Sequence, residues 1–335
     1  ATSTIARASD VLAVQTRLRR SLETTAGEKR SCSPPCHTGF LYPPFFLSHS
    51  VPLVVFQDDL IAVVKKPEML VTIGKKREDL QSFLPFLLYP PDSEDSELMT
   101  PAPVHRLDRR TSGLVLVAKT RSALRELGRS FAERRVKKSY AAWVLQNKNA
   151  TPPPASDADD GAPWNVIDYP IDGKKSTTHW RPLRTLPLPS LPSSGSEEHF
   201  QLSLLDIRPV TGRYHQIRRH LSYCLGMPIV GDGKYDGGGS VAMSLRCADG
   251  RIYLCSYRLE FPYPAVTKGT VNITRTERPG DIDPAIDDGY DLGANKKFAV
   301  RTWRKGFSCS EDDGSSITMM SVCVPLPQKF GQISG

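Results

Sequence analysis

The run Leu114-Val115-Leu116-Val117-Ala118 restricts the fold more than any other segment. Five consecutive apolar residues offer water no polar face, so the pattern is that of a strand covered on both sides. A Thr111-Ser112-Gly113 turn precedes it. Ahead of the turn, His105-Arg106-Leu107-Asp108-Arg109-Arg110 sets one acid among three arginines. A charged loop is thus delivered to the end of a buried strand, which is a rigid place to hold a reactive group.

Other segments follow the same periodicities. Val54-Val55-Phe56 and Leu60 to Val64 read as two β-rich runs joined at Asp58-Asp59, the second closed by Lys65-Lys66-Pro67 because proline cannot continue a ladder. Residues 89–103, with Pro90, Pro91 and Pro101, read as a loop. Ser122 to Lys138 reads as a helix, with Leu124, Leu127 and Phe131 on one face. Strands are expected at Tyr140–Val144, at Ser176–Arg181, from Gln201 to Arg208 and from Ile317 to Leu326. A helix is expected from His215 to Leu225, with Ile217, Leu221, Cys224 and Leu225 as its apolar stripe and Gly226 as its stop. Strands interrupted by a few helices imply an α+β fold with a mixed, largely antiparallel central β-sheet flanked by helices and loops. The expected domains are an N-terminal extension over 1–50 and a single domain over 51–331. Polar insertions interrupt that domain near 147–165, 185–198 and 275–315.

The chain of 335 residues carries a formal net charge of +8, which favours a polyanionic partner. Its seven cysteines are odd in number and scattered, as free thiols in a reducing compartment would be. Cys32-Ser-Pro-Pro-Cys36-His37 is the one close pair and lacks further ligands at zinc spacing, so no metal is expected. No apolar run is long enough to span a membrane. Residues 1–31 hold five arginines among Ser and Thr. That composition suits a surface helix followed by a disordered tail, or an organelle transit peptide.

Asp108 is the candidate nucleophile, since a carboxylate attacks if it stays ionised and is held in place. The flanking guanidiniums are expected to lower its pKa. The string His105-Arg106-Leu107-Asp108-Arg109-Arg110-Thr111-Ser112-Gly113-Leu114 resembles the nucleophile segment of the RluA-type pseudouridine synthases. Lys138-Ser139-Tyr140-Ala141-Ala142 resembles that family's Lys-x-Tyr-x-Ala segment. Thr211-Gly212-Arg213-Tyr214-His215-Gln216-Ile217-Arg218 resembles its Thr-Gly-Arg-x-His-Gln-Ile-Arg helix start, with Pro228 to Asp232 following as in the family. The opening hairpin ending Lys65-Lys66-Pro67 and the closing Val324-Pro325-Leu326-Pro327-Gln328-Lys329-Phe330 are also similar. Together these segments cover about 51–270 plus a short C-terminal strand.

The resemblance implies isomerisation of uridine to pseudouridine in structured RNA, without metal or organic cofactor. In it Asp108 is the nucleophile, Tyr140 lies against the target base, and Arg218 pairs with Asp108. Arg106, His105, Arg109, Arg110, Arg213, His215, Gln216 and Arg219 become the RNA-binding residues. Thr178-His179-Trp180-Arg181 and Arg218-Arg219-His220 resemble the transfer-RNA-modifying subgroup. Met227, where His is usual, and Lys234-Tyr235-Asp236, where His-Gly-Asp is common, depart from it. Transfer RNA is therefore the expected substrate, with ribosomal RNA as the alternative. The expected setting is intracellular, cytoplasmic or nuclear, with mitochondrion or plastid left open. No membrane and no obligate protein partner are implied. A non-catalytic RNA-binding factor on the same scaffold is the rival from another class. A glycosidase would need a second positioned acid, for which only Asp206 and Asp232 stand near.

Overall fold

The computed structural model describes residues 52–74, 79–91, 97–147, 164–188, 200–238, 250–264, 299–305, 317–331 and 333. The N-terminal extension, with Cys32 and Cys36, and the bulk of the three insertions lie outside the described residues.

A hairpin opens the domain. β1 (Leu53–Gln57) and β2 (Ile61–Lys66) pair antiparallel. The Asp58 side chain fixes their turn by accepting from the backbone N–H of Leu60 at 2.8 Å and of Ile61 at 2.9 Å. The short helix α1 (Leu80–Leu87) starts at Asp79, whose carboxylate accepts from Ser82 N–H at 2.8 Å. β3 (Glu97–Pro103) and β4 (Ser112–Thr120) follow. β3 corrects the expectation of a loop over 89–103: an edge strand tolerates Pro101 and Pro103 because it pairs only with β4. β4 is buried along its whole length, as its apolar run requires. Each Leu or Val in it contributes about 1.5–3 kcal/mol by leaving water.

Helix α2 (Arg121–Ala132) is capped by Thr120, whose hydroxyl accepts from Ala123 N–H at 3.2 Å. It ends earlier than expected because Arg134 adopts a left-handed conformation, φ 57°. Then come β5 (Lys137–Asn147), β6 (Asn165–Asp168), β7 (Thr177–Pro187) and β8 (Phe200–Pro209). The expected helix at 215–225 is α3 (Gln216–Arg219), which widens into a π-helical turn, His220–Cys224. The wider turn breaks the expected stripe: Ile217 and Leu221 are buried, but Cys224 is exposed. β9 (Leu254–Pro262), β10 (Ala299–Lys305) and β11 (Ile317–Cys323) complete the sheet. β10 falls inside the segment 275–315 expected to be a polar insertion. It pairs with β11 over its full length.

The sheet runs β1-β2-β4-β9-β5-β8-β7-β6, with β3 on β4 and β10-β11 on β9. Among the described strands, only the β4–β9 contact is parallel, through Ser112–Cys255 and Gly113–Ser256; every other strand pair is antiparallel. β9 thus separates the strand that follows Asp108 from the strand that carries Tyr140. The core packs Leu114, Leu116, Leu127, Trp143, Leu204 and Phe261 around this junction. The closing segment is tied to it by Trp143 Nε1–H, which donates to Phe330 C=O at 3.0 Å. Among the described residues, no helix is long and apolar enough to cross a membrane.

Candidate active site

The loop ahead of β4 is fastened at several points. Leu107 is buried, and its N–H donates to the Thr72 hydroxyl at 3.1 Å, which in turn donates to Leu107 C=O at 3.1 Å. His105 Nε2 accepts from Leu116 N–H at 3.1 Å, and its ring packs on Phe131 at 5.0 Å. Burial pushes the His105 pKa down to about 3, so it is neutral in the fold. His105, expected among the RNA-binding residues, is half-buried and fastens the loop. Thr111 N–H closes the turn onto Asp108 C=O at 3.0 Å.

Lys66 is the member of this wall that sequence reasoning missed. It is fully buried, and its Nζ donates to Leu70 C=O at 2.7 Å, Pro67 C=O at 2.9 Å and Arg109 C=O at 3.3 Å. Burial holds its pKa down at about 7, against the pull of Glu68 and Asp108. The signal in the sequence is a lysine ending an apolar strand, which on its own reads as a strand terminus. Gly113 has φ 118°, and a Cβ there would lie 2.1 Å from Ser256 C=O. Only glycine lets β4 approach β9 this closely.

Asp108 keeps a quarter of its side chain exposed. The expectation of a lowered pKa is corrected. Burial raises the Asp108 carboxyl above its ordinary value, and the opposing pull of Arg218, Arg106 and Lys66 does not overcome it. A carboxylate that has lost its water has more to gain from forming a bond.

Arg218 does face Asp108 electrostatically, but its fork is taken elsewhere. Nε and Nη2 donate to the two oxygens of Asp232, each at 2.6 Å, with both side chains buried. The expected Arg218–Asp108 pair is thus replaced by a two-pronged Arg218–Asp232 pair. The sequence offers Asp232 only as the end of the Pro228–Asp232 segment and as a second acid near Asp108. The wall around this pair is built from side chains. Buried Gln216 accepts from the Thr211 hydroxyl at 2.7 Å and Arg213 N–H at 3.0 Å, and donates to Thr177 C=O at 3.0 Å and the Thr178 hydroxyl at 2.9 Å. His220 Nε2 meets Tyr169 C=O at 3.0 Å, and a carbonyl only accepts. Its Nδ1 therefore accepts from the Thr178 hydroxyl at 2.9 Å. Gln216, expected to bind RNA, is a fully used internal latch.

His215 adopts a left-handed backbone, φ 53°, at the start of α3. Its Nε2 is 3.8 Å from Asp108 Oδ2, and its Nδ1 is 2.8 Å from the Tyr235 hydroxyl. Burial and Arg218 push its pKa down to about 4. Tyr140 is buried on β5, aligned with Ser256 on β9, where the β5–β9 register shifts. Burial, and then the charge of Asp108, hold its phenol well above the usual range.

Of the remaining expected RNA-binding residues, Arg106 and Arg109 are exposed and Arg110 lies against Gly250. Exposed Arg213 reaches Lys175 C=O at 3.4 Å, and Arg219 makes a two-pronged pair with Asp172 at 2.9 Å. The strings that resemble the transfer-RNA subgroup are largely internal: Thr178, Trp180, Arg181 and His220 are buried. Among the described residues, no cluster of His, Cys, Asp or Glu could hold a metal ion.

An acid on a fastened loop, a buried arginine pair whose charge reaches it and a buried tyrosine that feels the same acid come together in a basic chain. The family model described as RNA pseudouridylate synthase matches residues 60–223. Ribosomal large subunit pseudouridine synthase C of Vibrio vulnificus is 30% identical over 70% of this chain and 66% of its own length. Dual-specificity RNA pseudouridine synthase RluA of Yersinia pestis is 32% identical over 63% of this chain and 95% of its own. A solved structure, Human RNA Pseudouridylate Synthase Domain Containing 1, aligns at 24% identity with a TM-score of 0.45, over 63% of this chain and 79% of that one. The chain belongs to the RNA pseudouridylate synthase family, in its RluA-type branch. It spans 66% and 62% of the lengths of the Vibrio vulnificus and Vibrio cholerae synthase C relatives.

Proposed function

We propose that this protein is an RNA pseudouridine synthase with Asp108 as its nucleophile. The observation that carries this reading is the Asp108 carboxylate, raised by burial, fastened by backbone and facing the Arg218–Asp232 pair. The target uridine leaves its stack, at a cost of a few kcal/mol. Exposed Arg106 is placed to take up phosphate or the vacated space. Asp108 attacks the sugar C1′ or the base C6, and the N1–C1′ bond breaks. The base turns, a C5–C1′ bond forms, C5 loses its proton, N1 gains one, and Asp108 is released. The product is an isomer of the substrate, so no oxidant, reductant or cofactor enters.

Tyr140 lines the base pocket. While Asp108 is charged, the phenol holds its proton. Once that charge is spent in a covalent bond, the second cause of its raised pKa is gone, and the phenol parts with its own proton more readily, as it must before its oxygen can take the C5 proton. Arg218 acts as a fixed positive surface toward Asp108 through Asp232.

Transfer RNA is the first substrate to test, from the subgroup strings. Ribosomal RNA is the second, from the names of the relatives. The buried state of those strings makes them a record of packing, so the two pools are tested together. Tritium release from RNA labelled at uridine C5 is expected with the wild type on one pool. Asp108→Asn should abolish release while RNA affinity changes by no more than a few fold. Full turnover by that variant would remove Asp108 from the chemistry. Absence of release from both pools, with RNA still bound, would favour the non-catalytic binding factor.

A further inference from the structure

Next to Asp108 stands a column of rings that the isomerisation does not use. His215, in contact range of Asp108, stacks on Tyr214 at 3.8 Å with an interplanar angle of 19°. Tyr235 meets His215 edge-on at 5.6 Å, and Tyr223 meets Tyr235 edge-on at 5.6 Å. The inner rings are covered, but Tyr214 is 59% exposed and Tyr223 68% exposed. Lys234 Nζ lies 5.6 Å from the Tyr214 centroid and 5.3 Å from that of Tyr235.

A single exposed tyrosine is ordinary. Three features set this one apart. Its orientation depends on His215, held in a left-handed conformation that a non-glycine residue adopts at a cost. One face has a neutral aromatic partner and much of the ring is open. A cation stands beside it, in a chain of net charge +8. A flat, half-open ring with an adjacent ammonium matches an unpaired nucleobase and its phosphate, since every base has a face to stack and every phosphate a charge to pair.

We propose that Tyr214, backed by His215 and flanked by Lys234, binds the unpaired nucleotide adjacent to the target uridine by stacking on its base. This deepens the synthase reading and rests on it for the identity of the neighbouring uridine. The column begins at the nucleophile and ends, two contacts away, on Tyr214, so a base there would hold the strand in place while uridine occupies the Asp108 pocket.

The test uses the full chain and a stem-loop RNA with a uridine loop carrying one 2-aminopurine. Wild type should quench the 2-aminopurine. Tyr214→Ala should lose the quench and weaken binding roughly 5- to 150-fold, the range of one stacked base. Tyr214→Phe should stay within about twofold. Lys234→Ala should lower the slope of log affinity against log salt by about one phosphate contact. Absence of quenching by wild type, unchanged binding by Tyr214→Ala, or a Tyr214→Phe defect equal to that of alanine would each overturn the shelf. Tritium release by wild type is read in parallel. Release together with wild-type quenching by Tyr214→Ala removes the shelf and leaves the synthase. Quenching that tracks Tyr214 without release keeps the shelf and removes the synthase.

Discussion

The two walls around Asp108 are built by different means. On the Asp108 side it is main chain that is fastened: the Lys66 side chain gathers three carbonyls, and Gly113 brings β4 against β9 with no room for a side chain. On the arginine side, side chain is fastened to side chain: Arg218 to Asp232, and Gln216 to Thr211 and Thr178. The first wall fixes where a backbone can go. The second fixes where a charge can point. Asp108 therefore has a rigid floor beside it and a fixed charge pair facing it.

The largest effect that separates the walls should come from Gly113→Ala. Its Cβ would meet backbone at 2.1 Å, and neither strand can move without breaking the sheet junction. Loss of the folded state, or on the order of 4 kcal/mol or more, is expected in urea unfolding. Near-normal stability would mean that the junction yields and the floor is not rigid.

Asp232→Ala should come next. It leaves the Arg218 guanidinium buried without its partner, a loss of about 3–5 kcal/mol. Replacing both residues by apolar ones of similar size should recover much of that stability by the same principle, but none of the turnover. Equilibrium unfolding and tritium release on the same three samples would show whether the pair serves the fold or the chemistry.

The smallest effect is a slope. Lys66 ordinarily titrates at 10.5 and in the fold at about 7. Between those values the unfolded chain binds a proton that the folded chain has released, so rising pH favours the fold. Below the window both forms are charged, and above it both are neutral. The stability of wild type relative to Lys66→Met should therefore climb from about pH 7 toward pH 10.5. A flat difference would mean that Lys66 stays charged behind Asp108.

The floor was the more legible wall. A charged loop, a Ser-Gly turn and an apolar run announce themselves in consecutive residues, and β2, β4, β5 and β8 followed from period and composition. The opposite wall depends on partners brought together by folding: no spacing rule links Arg218 to Asp232 rather than to Asp108, or turns His105 and Gln216 inward. That the Asp108 pKa is raised rather than lowered is hidden for the same reason, because burial is a property of the whole packing. β9 drew no assignment in the sequence because Cys255, Ser256, Arg258 and Glu260 interrupt its apolar residues. β3 and β10 were concealed by prolines and by a polar neighbourhood, and the π-helical turn by an apolar stripe that fits an ordinary helix.

β9 also sets a timetable. The strand after Asp108 and the strand bearing Tyr140 are made early in synthesis, yet they meet only through a strand made much later. As the chain leaves the ribosome, neither half of the site has its neighbour until Leu254–Pro262 has emerged. Closure over so long a separation is slow and leaves apolar edges waiting. The candidate site is thus assembled among the last events of folding, and a chain cut short before β9 would carry every residue of the Asp108, Tyr140 and Arg218 set without ever bringing them together.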